Sequence, residues 1–81
     1  MKEITLKVTY DHKVDAVYIY FTDTRQGMAV STYSLDDEGM TLAPDINIDT
    51  YNDSELLGME ILDASQHLPK AMLAKLKDSR V

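Results

Sequence analysis

The chain has no cysteine, no tryptophan, two prolines and three glycines in 81 residues. Without cysteine, neither a disulfide nor a thiolate metal site can hold a small fold together. Gly27, Gly39 and Gly58 stand alone, so there is no glycine-rich loop of the kind that cradles phosphate. No apolar run approaches the roughly 20 residues that a membrane-spanning helix needs. The first residues, Met1-Lys2-Glu3-Ile4-Thr5-Leu6-Lys7, alternate and lack an apolar signal core. The expectation is a cytoplasmic protein that makes no membrane contact. His12 and His67 lack the spacing of a zinc-binding pair.

Positive charge is missing from the middle. The net charge is −6, yet residues 26–69 contain no Lys or Arg. That segment carries Asp36, Asp37, Glu38, Asp45, Asp49, Asp53, Glu55, Glu60 and Asp63. Before it, Lys2, Lys7, Lys13 and Arg25 balance Glu3, Asp11, Asp15 and Asp23. After it, Lys70, Lys75, Lys77 and Arg80 outnumber Asp78. A bare acidic middle repels phosphate, so no direct nucleic-acid binding is expected. The segment either keeps a small protein soluble or docks a basic protein partner.

What is present is strand periodicity. Ile4, Leu6, Val8 and Tyr10 alternate with Thr5, Lys7 and Thr9. Residues 16–22 are nearly all β-branched or aromatic, which suits an interior strand with both faces occupied. Val17, Ile19 and Phe21 share one face; Tyr18 and Tyr20 share the other. Serine and threonine dilute residues 28–35, as suits a strand near an edge. Pro44 lies within the alternation of residues 40–49 and argues for an edge, a bulge or a break there. Leu57, Met59 and Ile61 mark a fifth strand, on whose other face Gly58 leaves room for a side chain or a helix. Leu68, Met72, Leu73 and Leu76 form an apolar stripe on a helix opened by Pro69.

These signals predict a single α+β domain over residues 1–81. Its core is a small, mainly antiparallel five-stranded β-meander with one C-terminal α-helix packed on one face. The expected strands are 4–10, 16–22, 28–35, 40–49 and 55–62, and the expected helix is 69–79. A chain this short buries only about 60–65% of its unfolded surface, so self-association is a natural aid to stability. One short helix cannot cover both faces of such a sheet. The reading therefore includes a homodimer that buries Tyr18 and Tyr20, flanked by Lys7.

Two stretches carry a resemblance. Tyr10-Asp11-His12-Lys13-Val14-Asp15-Ala16-Val17-Tyr18-Ile19 resembles the N-terminal signature of the small prokaryotic family known as domain of unknown function 2283. Gly58-Met59-Glu60-Ile61-Leu62-Asp63-Ala64-Ser65 resembles its C-terminal signature. The family's usual Asp-rich turn ending in Gly appears here as Asn52-Asp53-Ser54. The resemblance implies a small sheet domain with no established activity and no catalytic residues to carry over.

The carboxylates need physical readings of their own. Asp11 and Asp15 bracket a turn, where Asp side chains bond nearby backbone N–H groups. Glu60 faces solvent or pairs across the sheet with a group such as Lys7. Asp45-Ile46-Asn47-Ile48-Asp49 opens like a calcium loop, but Thr50 and Leu56 stand where that loop requires Gly and Glu. Asp63, Ser65 and His67 fit caps and loop bonds better than a nucleophilic triad. No catalytic residue, metal site or cofactor is expected. The reading is a non-enzymatic protein-protein interaction module, homodimerising, antitoxin-like or regulatory, with Asp45, Asp49, Asp53 and Glu55 as its acidic partner face. The alternatives are an acidic nucleic-acid mimic, or a small enzyme or metal-binding protein using the Asp cluster.

Overall fold

A computed structural model of the chain describes residues 1–23, 30–35 and 43–78. Its elements are β1 (Lys7–Asp11), β2 (Ala16–Tyr20), β3 (Ser31–Ser34), a single 3-10 turn (Ala43–Asp45), β4 (Ile46–Tyr51), β5 (Glu55–Ile61), α1 (Ala64–His67) and α2 (Lys70–Asp78). The fold is α+β: five antiparallel strands in one sheet, with helix at the C-terminal end. The strand order is β1-β2-β5-β4-β3. Two local antiparallel units, β1–β2 and β3–β4–β5, meet through the pairing of β2 with β5. Burial explains why β5, and not β3, lies beside β2. All four residues of β3 are exposed, whereas β5 buries Leu57, Gly58 and Ile61.

Registers fix the two faces. Tyr10 lies opposite Val17, Val17 opposite Ile61, and Ile61 opposite Ile46. Val17, Ile61 and Ala64 form the buried cluster, against which Val8, Tyr10, Ile19, Ile46, Met59, Leu68 and Leu76 pack. This is the face expected to hold the helix, and α1 joins α2 in covering it. Pro69 opens α2, its carbonyl accepting the Leu73 N–H at 3.1 Å. Leu73 is buried and Met72 half-buried.

Several elements are shorter than their periodicity suggests. β1 starts at Lys7, leaving Ile4 and Leu6 exposed. Pro44 acts as a break, placed in the 3-10 turn with β4 starting two residues later. A bulge at Asp49/Thr50 pairs Thr50 with Leu56, so Leu57 is the extra residue of β5. Leu57 stays inward with Met59 and Ile61, 2% exposed, while Leu56 is outward at 55%. α1 occupies a stretch whose Asp63, Ser65 and His67 are expected to serve only as caps and loop bonds. The tight turn before β5 forms without glycine because Asn52 and Asp53 both take positive φ, 52° and 56°. The expected turns through Gly27 and Gly39, the strand starts at Met28 and Met40, Leu42, the acidic triplet Asp36, Asp37 and Glu38, and Arg80 lie outside the described residues.

Candidate functional site: the uncovered sheet face

Alternation that sends apolar side chains to the helices sends a polar set to the other face. Cross-strand pairing lines these up in two rows. One runs Thr9, Tyr18, Glu60, Asn47 and Ser34; the next runs Lys7, Tyr20, Gly58, Asp49 and Thr32. β5 is the middle strand, so Glu60 and Gly58 sit at the centre.

Hydrogen bonds tie the rows together. The Tyr18 hydroxyl donates to Asp49 Oδ2. Thr32 Oγ1 donates to Asp49 Oδ1 at 2.7 Å, and Asn47 Nδ2 donates to Glu60 Oε1 at 3.1 Å. The Tyr18 ring reaches Asp49 by lying over Gly58. A Cβ at that position would stand 2.5 Å from Tyr18 Cε1 and 2.6 Å from Cζ. The room left by Gly58 is thus filled by a side chain, not by the helix. The rings of Tyr18 and Tyr20 are 4.6 Å apart, and Lys7 Nζ sits 4.9 Å from the Tyr20 centroid. Lys7 therefore lies over Tyr20 instead of meeting Glu60.

Burial pushes the Tyr18 phenol well above its usual range; the hydrogen bond to Asp49 and that carboxylate's charge add to the effect. Tyr18 stays protonated at neutral pH and acts as a fixed donor to Asp49. Chemically, the face offers two carboxylates held in place beside two adjacent phenols whose rings are tilted by 53°.

A second constellation sits at one end of the covered face. Asp15 has φ 52°, and its carboxylate accepts the Ser65 N–H at 3.2 Å, the Ser65 hydroxyl at 2.5 Å and the Tyr10 hydroxyl at 2.8 Å. Its backbone carbonyl accepts the Ala64 N–H at 2.9 Å. The Ser65 and Tyr10 hydroxyls hold Asp15 below the usual carboxylate range, and the same bond raises the Tyr10 phenol. Asp15 thus clasps the β1–β2 turn to α1. Asp11 acts locally, accepting the Lys13 N–H at 2.9 Å.

The other residues named from sequence are dispersed. Asp45 and Asp49 do not share a strand face, because Asp45 falls in the 3-10 turn before β4. There it contacts His67 Nε2 at 2.7 Å. Asp53 accepts the Tyr33 hydroxyl at 2.6 Å at the β4–β5 hairpin, and exposed Glu55 starts β5. The Tyr33 phenol is raised by that bond first and by the Asp53 charge next. Ser65 and His67 contact different carboxylates, so Asp63, Ser65 and His67 do not assemble as a triad. Among the described residues, no three His, Asp or Glu side chains gather as a metal site. No helix of the described chain is long and apolar enough to cross a membrane.

Sequence reasoning missed Asn47 and Thr32, whose roles depend on knowing which strands are neighbours. It also missed the Asp15–Ser65 clasp, for which local spacing carries no signal. Comparison with known proteins found no match among curated proteins and none among solved structures. The family model described as Protein of unknown function (DUF2283) matches residues 7–65. That segment runs from the first residue of β1 through all five strands to Ser65 in the clasp, so both signature stretches lie inside it. The chain belongs to the DUF2283 family.

Proposed function

We propose that the protein is a non-enzymatic binding module that docks a basic protein partner on the sheet face that no described element covers. The observation that carries this reading is the pre-bonded Tyr18–Asp49–Thr32 set beside the Tyr20 ring, on the face opposite the helices. A lysine or arginine side chain meets there both carboxylate oxygens and aromatic faces, the two groups that attract cations most strongly. Fixed rotamers lower the ordering cost of binding. The engagement of Ser65 with Asp15 and of His67 with Asp45 favours binding over nucleophilic catalysis. The scatter of Asp45, Asp49, Asp53 and Glu55 disfavours a regular phosphate mimic, which needs carboxylates in a line.

The test starts with a pull-down from native cells and mass spectrometry, followed by association kinetics with the captured basic protein. Added salt should lower the association rate. Asp49→Asn, whose single amide oxygen can accept the Tyr18 hydroxyl while its NH2 faces Thr32 as a donor, should slow association severalfold at low salt while circular dichroism stays unchanged. A wild-type rate for Asp49→Asn would sink the reading.

A further inference from the structure

Among the described residues, the sheet ends on two edge strands, β1 and β3, and β1 is paired only with β2. An edge strand turns a row of backbone N–H and C=O groups outward, ready for another strand. β1 is also flanked by uncovered aliphatics: Ile4 is 80% exposed and Val14, in the following turn, 63%.

We infer that this edge pairs with the same edge of a second copy, antiparallel about a twofold axis at Thr9. In that register Thr9 meets its own equivalent, Val8 meets Tyr10, and Lys7 meets Asp11, the last pair occurring twice. Lys7 and Asp11 are both exposed and share the polar face with Thr9. Moving the axis to Val8 sets Lys7 against Thr9. Moving it to Tyr10 sets Asp11 against Thr9 and Lys7 against Lys13. Only the Thr9 axis makes both ion pairs while keeping the faces aligned. It also brings Leu6 to His12, which stands edge-on to Tyr10 at 4.7 Å, and brings Ile4 toward Val14. Net charge does not oppose this contact, because residues 1–25 are balanced and the acidic β4 lies three strands away. The product is a ten-stranded sheet with all helices on one side and both polar faces on the other. The dimer does not require the partner-docking role, and it leaves Tyr18 and Tyr20 open.

Sedimentation should give twice the 9.2 kDa chain mass at micromolar concentration. Lys7→Asp and Asp11→Lys each set like charges against each other twice, so each should weaken the dimer roughly tenfold. The double variant should return to within about threefold of wild type. Because Asp11 also holds the Lys13 N–H, a second measurement stands apart from charge. Thr9→Cys should cross-link across the axis with a short bismaleimide, and Asp23→Cys should not. A 9.2 kDa species at high micromolar concentration overturns the inference. So does a dimer indifferent to Lys7→Asp, or one that links Asp23→Cys as well as Thr9→Cys.

Discussion

The two faces of this sheet use the same strands for opposite ends. On the covered face, Val17, Ile61 and Ala64 are held by shape, and each is nearly removed from solvent. On the open face, Tyr18, Asp49, Thr32, Asn47 and Glu60 are held by directed bonds and stay half-buried or exposed. The difference teaches where stability resides and where recognition can reside. Apolar burial rewards contact with any neighbour of the right volume. A hydrogen-bonded face rewards only certain geometries, and remains usable by a partner.

The largest effect should come from the covered side. Leu57→Ala removes a side chain that is 2% exposed. It should cost about 2–5 kcal/mol, read as a fall in urea midpoint. A loss under about 1 kcal/mol would mean that the bulge does not anchor this half of the sheet. Gly58→Ala attacks the open face through sterics alone. Its Cβ would force the Tyr18 ring off its seat, at about 1–3 kcal/mol. In a Tyr18→Ala background most of that penalty should vanish, and a double-mutant cycle measures the difference. If the two substitutions add, the ring does not need the glycine.

The smallest effect probes the clasp. Asp15 is held below the ordinary aspartate value of 3.8, chiefly by the Ser65 and Tyr10 hydroxyls. Its bonds therefore stabilise the fold fully above that value and are lost as pH falls beneath it. Asp15→Asn should lower stability at pH 7 by about 1 kcal/mol, a figure discounted for solvent reach. It should also flatten the decline in urea midpoint between pH 5 and pH 3. An equally steep decline in the variant would assign acid sensitivity to other carboxylates.

The sequence disclosed faces better than neighbours. Alternation in residues 16–22 and 55–62 separates Val17 and Ile61 from Tyr18 and Glu60, because a strand's period is fixed by its backbone. Which strand lies beside which is a long-range choice, so Tyr18 could be placed on the polar face without revealing Asp49 as its acceptor. Pro44 announced an irregularity, but periodicity alone could not choose among edge, bulge and break. The four residues of α1 are too few to show a helical period. The left-handed Asp15 and Asp63 follow from tertiary bonds and capping position, and aspartate marks only tolerance of that conformation.

The clasp between Asp15 and Ser65 has a further meaning in time. It joins residues fifty apart in the chain, while β1–β2 and β4–β5 close over short turns. Bringing distant segments together costs chain entropy before their contacts form. The two hairpins should thus form early and independently. Folding should then wait for β2 to find β5, with the clasp closing last. In stopped-flow kinetics, Asp15→Ala should speed unfolding and leave the folding rate nearly unchanged. A slowed folding rate would instead make the clasp part of the nucleus.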